Sequence, residues 1–159
     1  FKVIGETGHV YGYGKSVWAM IDLDTRQPAD ILSVRGGLIT EYIETEYSCP
    51  IEKSSRVKMS ADATPVRSID TYYNDVDING HINSVKYIEH MLDLWDVAWY
   101  KQHRIKRFEI AYVAESHQGD KLHFYREQRE TETDFNVRIT KSNVGREETE
   151  VCRCRVQFV

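Results

Sequence analysis

The apolar and polar positions change rhythm several times along the chain. Residues 10–23, VYGYGKSVWAMIDL, set aromatic and β-branched residues between Gly12 and Gly14 and predict a strand. Residues 1–4 would pair with it through a turn at Gly5–Gly8. Thr25–Pro28 breaks the pattern. From 32 to 62 neither the helical nor the strand period persists: Gly36-Gly37 is followed by a short helical stretch near 38–45, then by Cys49-Pro50 and polar residues. Such a connector is long for a loop inside one compact unit, so a domain boundary is expected there.

From Pro65 the pattern sharpens. Residues 66–73, VRSIDTYY, suit a strand. Over 83–100, Val85, Ile88, Leu92, Trp95 and Trp99 recur every three or four residues, with Lys86, Glu89 and Asp93 elsewhere. That spacing predicts one helix of about 18 residues, about 27 Å long at 1.5 Å per residue, capped by Asn83 or Ser84. Four strand-like runs follow, at 107–115, 121–130, 134–140 and 150–159, joined by short turns such as Gly119-Asp120. Strands so joined are usually antiparallel neighbours. One long helix against an antiparallel sheet is an α+β arrangement. No internal repeat stands out.

Composition narrows the function classes. With 159 residues the chain can bury a sizeable core, and 41% apolar and 29% charged residues are ordinary for a globular domain. A net charge of -4 argues against a general nucleic-acid binder. No run approaches the roughly 18 apolar residues of a membrane span, and no signal peptide is visible, so a cytosolic (cytoplasmic) setting is expected. Cys49, Cys152 and Cys154 are an odd count without framework spacing and are expected as reduced core thiols, Cys152 and Cys154 sharing a face with Val156 and Phe158. The chain begins at Phe1 rather than Met and opens directly into strand-like sequence, as a piece of a longer protein would.

The chemistry concentrates in NDVDINGHINSVKYIEHMLDLW, 74–95, where Asp75, Asp77, Asn79, His81 and Asn83 occupy successive odd positions. A calcium loop wants oxygen ligands at positions 1, 3 and 5, glycine at 6 and glutamate at 12. Counted from Asp75, position 12 is Lys86, a cation that repels the metal, and a strand rather than a helix precedes the loop. No metal or cofactor is therefore expected. A turn with a helix cap explains one or two such residues, because their side chains bond nearby backbone N–H groups. A third reading is a catalytic site at a helix start. There unpaired N–H groups favour developing negative charge, and His81 can shuttle a proton near neutral pH.

The run DINGHINSVKYIEHML resembles the signature of the fatty acyl–acyl carrier protein thioesterases of plant plastids and bacteria, Asp-x-Asn-x-His-x-Asn-x-x-Lys-Tyr. Asp77, Asn79, His81, Asn83, Lys86 and Tyr87 stand at its positions. AYVAES, 111–116, resembles that family's Tyr-x-x-Glu-Cys segment, with Tyr112 and Glu115 in place and Ser116 where cysteine is common. KSVWAMIDLDTRQPADI, 15–31, resembles the end of the first of the family's two hotdog repeats. The resemblance implies a hotdog fold, an antiparallel sheet wrapped round one central helix. It implies that 1–31 are the tail strands of a first repeat, 32–62 a linker, and 63–159 the second hotdog domain.

It further implies hydrolysis of the thioester that joins a fatty acyl group to the phosphopantetheine arm of acyl carrier protein. Asp77, Asn79, His81 and Glu115 are then the expected catalytic residues, and Asn83 and Ser116 the substrate-binding ones. Glu115 would activate water with His81 as its partner, Asn79 would orient the thioester or the water, and Asp77 would fix His81 or attack directly. Arg104, Lys106 and Arg107 would dock the acidic carrier. Two alternatives stay open, an acyl-CoA thioesterase of the hotdog class and a non-catalytic acyl-binding module. A homodimer also stays open.

Overall fold

A computed structural model describes residues 1–25, 27–145 and 147–159. They form two compact units, Phe1–Lys53 and Ser54–Val159. In the first unit β1 (Lys2–Ile4) pairs antiparallel with β2 (Val10–Tyr13) across the expected glycine turn, where Gly8 takes a φ of +82 that L side chains rarely adopt. The strand expected over 10–23 stops at Tyr13, because β1 is three residues long and offers no further partner backbone. Beyond it there is an isolated bridge between Ile21 and Pro28, while Val17 and Trp18 lie exposed. The helix expected near 38–45 is a 3-10 segment, Ile31–Tyr42, interrupted where Arg35, Gly36 and Gly37 take positive φ. No described residue of this unit is buried.

The second unit carries the core. Its five strands are β3 (Arg67–Asp70), β4 (Ile105–Tyr112), β5 (Lys121–Gln128), β6 (Asp134–Ser142) and β7 (Thr149–Phe158). They form one antiparallel sheet in the order β3-β5-β6-β7-β4. Leu122, Phe124, Val137, Ile139, Cys152, Cys154 and Val156 alternate onto one face, where Tyr87 and Met91 of α1 (Ser84–Leu92) join them in the core. Cys152 and Cys154 are free and fully buried, as expected, and burial pushes the Cys152 thiol up to about 12. Cys49 is exposed instead.

The expected single helix is broken. It ends at Leu92, and a second helix, α2 (Val97–Gln102), starts at Asp96, whose carboxylate accepts the Trp99 N–H at 2.8 Å. An Asp side chain that bonds the backbone two or three residues on is a strong helix start, so the chain restarts instead of continuing. Trp95 still reaches the core, with its ring 5.2 Å from Phe135 and 5.0 Å from Phe158.

The connector joins this unit earlier than residue 63. The Ser55 N–H bonds Glu109 at 2.8 Å, the Ser60 N–H bonds Glu127 at 2.9 Å, and Asn136 donates to the Lys58 carbonyl at 3.0 Å. These partners lie on the sheet face opposite the helices. Among the described residues no helix is long and apolar enough to cross a membrane.

Candidate active site

The site is built on a small loop ahead of α1. Val76 and Ile82 form an antiparallel bridge, the Asp77 N–H bonds the His81 carbonyl at 2.8 Å, and the Gly80 N–H bonds the Asp77 carbonyl at 3.0 Å. So tight a turn needs a left-handed residue, and Gly80 supplies it with a φ of +82. Asp77 closes the loop from within: its Oδ1 accepts the Asn79 N–H at 2.8 Å and the His81 N–H at 3.4 Å. Burial works against that carboxylate's charge, but these hydrogen bonds outweigh it and hold its pKa below the ordinary value.

Asn83, expected to bind substrate, is the helix cap. Its side chain accepts the Val85 N–H at 2.9 Å and its carbonyl accepts the Lys86 N–H at 2.9 Å. Two of the first amides of α1 are therefore bonded locally, against the expectation of open N–H groups there. Asp75 belongs to the same scaffold. Its carbonyl accepts the Asn83 N–H at 2.7 Å, one carboxylate oxygen accepts the Tyr72 N–H at 2.8 Å, and the other lies 3.5 Å from His90 Nε2.

One hydrogen bond ties this loop to the second motif. The Ile82 N–H donates to the Ser116 carbonyl at 2.8 Å. That link brings His81 and Glu115 together, with His81 Nε2 3.4 Å from Glu115 Oε2. Both side chains keep solvent access, at 30% for His81 and 52% for Glu115. The Glu115 backbone is held by Lys141, whose Nζ donates to its carbonyl at 2.6 Å. Lys141 also lies 3.5 Å from Asp120, which accepts the His117 N–H at 2.9 Å and the Asn143 amide at 3.0 Å. Burial opposes the Asp120 charge, yet these partners keep its carboxyl below the ordinary range.

The remaining expected residues fall differently. Asn79 is exposed at the loop tip. Ser116, expected to meet substrate, is fully buried beside Tyr87, whose hydroxyl burial pushes up to about 12 while Ser116 pulls it down. Of the basic cluster, Arg107 is tied to Glu109 at 2.5 Å, whereas Arg104 and Lys106 are exposed. Sequence reasoning missed His117, whose ring stands edge-on to His81 at 5.0 Å and 89°. The available signal was its place two residues after Glu115. Among the described residues no group of three His, Cys, Asp or Glu side chains could hold a metal ion.

Comparison with known proteins follows the same residues. Positions 58–158 match the family described as the acyl-ACP thioesterase C-terminal domain. The palmitoyl-acyl carrier protein thioesterase, chloroplastic, of Arabidopsis thaliana is 30% identical over 112 residues, which are 69% of this chain and 27% of that protein. An acyl-ACP thioesterase structure from Bacteroides thetaiotaomicron shares 46% identity with a TM-score of 0.87, covering 99% of this chain and 60% of that one. A 12:0-ACP thioesterase from Umbellularia californica shares the fold, with a TM-score of 0.67 at 20% identity, over 87% of this chain and 52% of that one. The chain thus spans 27% of the curated relative's length and 60% of the Bacteroides chain. The architecture is the expected hotdog, with a central helix shorter than its apolar period suggested.

Proposed function

The chain belongs to the acyl-ACP thioesterase family, and on that premise we propose that it hydrolyses the thioester between a fatty acyl group and acyl carrier protein. The observation that carries this is the approach of His81 Nε2 to Glu115 Oε2 at 3.4 Å on a solvent-accessible edge. Catalytic hydrogen bonds in unliganded sites are often this long and tighten with substrate.

Glu115 takes a proton from a water whose oxygen attacks the thioester carbon. The carbon–sulfur bond breaks, the departing thiolate takes a proton from the His81 imidazolium, and Glu115 then passes the proton it took from water to His81, which restores both groups. The products are a free fatty acid and the carrier's thiol. A thiolate leaves readily, since thiols have pKa values near 8.5, so little acid assistance is required. Asn79, exposed at the loop tip, orients the carbonyl or the water. Asp77 fixes His81 through its backbone N–H; with Oδ1 engaged by two amides, direct attack is the less favoured role. Arg104 and Lys106 remain as the carrier's docking cations.

The test is release of free fatty acid from acyl–acyl carrier protein and from acyl-CoA, side by side. Faster turnover of the carrier-bound substrate supports the reading. Preference for acyl-CoA moves the chain to the other enzyme class, and bound fatty acid without turnover makes it a binding module. A cytosolic setting and a second copy of the chain as partner belong to the same proposal; fractionation and chromatographic size check them. Residues 1–31 are read as tail strands of a first hotdog repeat, 32–62 as the linker and 63–159 as the second repeat. Coding sequence upstream of Phe1 with a further long helix would support that reading, and a start codon directly before Phe1 would contradict it.

A further inference from the structure

We propose that His117 is a positioning residue that sets the plane of the His81 ring, so that Nε2 faces Glu115. This rests on the reading of His81 and Glu115 as the reacting pair. An imidazole turns easily about its last bond, because the rotamer wells of such torsions are broad. One 3.4 Å contact at Nε2 does not fix the ring's plane. The carboxylates of the loop are engaged elsewhere. Asp77 Oδ1 accepts the backbone N–H groups of Asn79 and His81, and Asp75 meets Tyr72 and His90.

His117 supplies what they do not. Its ring stands 5.0 Å from that of His81 at 89°, the edge-to-face arrangement that aromatic rings favour over a face-to-face sandwich. The His117 backbone is itself held. Its N–H bonds Asp120 Oδ2 at 2.9 Å, and its carbonyl accepts the Thr71 hydroxyl at 3.1 Å. Asp120 lies 3.5 Å from Lys141, which also holds the Glu115 carbonyl. One clamp of Thr71, Asp120 and Lys141 therefore presents Glu115 and His117 together, either side of the buried Ser116. Glu115 and Asp77 are charged groups that act on the His81 imidazole, while Asp120 and Lys141 hold the His117 and Glu115 backbones. The His117 side belongs to an exposed residue, so filling the core does not account for it.

His117→Ala and His117→Phe separate ring packing from proton transfer, since Phe keeps an aromatic ring and carries no proton to exchange. With acyl–acyl carrier protein as substrate, His117→Ala should lower kcat on the order of tenfold at near-constant KM, as expected for a misplaced catalytic group. His117→Phe should recover most of that loss, with melting temperatures confirming that both variants fold. A kcat at the wild-type level in His117→Ala overturns the proposal, and so does a His117→Phe variant as slow as His117→Ala. Proton NMR contacts between the two rings give a readout that needs no turnover. If the wild-type chain hydrolyses no thioester, the functional reading fails, and the NMR arm still decides. A His81 ring equally ordered in wild type and His117→Ala contradicts the role, and one that loses its fixed orientation in the variant supports it.

Discussion

The two ends of α1 are built on different physics. At its start, His81 and Glu115 stand half-open to solvent on segments fixed by backbone hydrogen bonds, among them Asp77 to His81, Ile82 to Ser116 and Asn83 to Val85. Past its end, the Trp95 and Trp99 rings pack against those of Phe135 and Phe158 at 5.0 to 5.8 Å, with the Arg126 guanidinium 5.3 Å from the Trp95 ring. Here the polar pair keeps an open face, and local hydrogen bonds position the segments that carry it. The aromatic end buries large apolar area instead. Reactivity and stability are therefore separable along one helix.

The sharpest way to break that contrast is a pair of substitutions. Glu115→Gln should lower hydrolysis by roughly 10²–10⁴-fold, the usual worth of a general base, and leave the melting temperature nearly unchanged. Trp95→Ala should do the reverse, destabilising by roughly 3–5 kcal/mol in denaturant titration while the folded fraction keeps its kcat. A Glu115→Gln variant that unfolds, or a Trp95→Ala variant of full stability, would erase the distinction.

A smaller effect comes from acid. Near the aromatic end, Arg155 holds Asp134 through two hydrogen bonds, at 3.0 and 2.7 Å, and keeps its carboxyl below the ordinary value. A depressed carboxylate contributes stability above its unfolded pKa of about 3.9 and loses it as pH falls through the folded value. Stability should thus decline from about pH 5 downward, and Arg155→Gln should flatten that decline. An unchanged acid limb in Arg155→Gln would remove the pair from the account.

The smallest effect lies at the surface. Arg104→Glu with Lys106→Glu should raise KM for the carrier-bound substrate at low salt, by the equivalent of about 1 kcal/mol or less, and the effect should fade as salt screens it. The same change at Arg107 is a poorer test, because that guanidinium is already paired with Glu109.

Much of this was legible in the residues. The apolar alternation of 150–159 and 134–140 set β7 and β6 on the core, and Gly119-Asp120 marked a turn. His81 and Glu115 were legible because each sits in a short motif, and the fold brings the two motifs together with the Ile82 N–H on the Ser116 carbonyl and the Tyr112 hydroxyl on the Ser84 carbonyl. The helix break was not. Trp95 and Trp99 keep the helical period, and only the Asp96 carboxylate on the Trp99 N–H shows that the backbone restarts. That Asn83 caps its own helix and that Ser116 is turned inward was not legible either, for a related reason. Type and spacing do not distinguish a side chain aimed at substrate from one turned to the interior or to its own helix. His117 lay outside both motifs, and its role depends on a ring angle that no spacing encodes.

The central claim is that His81 and Glu115 act as one unit. A double-mutant cycle on acyl–acyl carrier protein hydrolysis tests it directly, with His81→Ala, Glu115→Gln and the double variant compared with wild type. Groups that act together are strongly non-additive, so the double variant should be no slower than the worse single variant, within about threefold. Losses that multiply to the product of the two single effects would show independent roles and contradict the account.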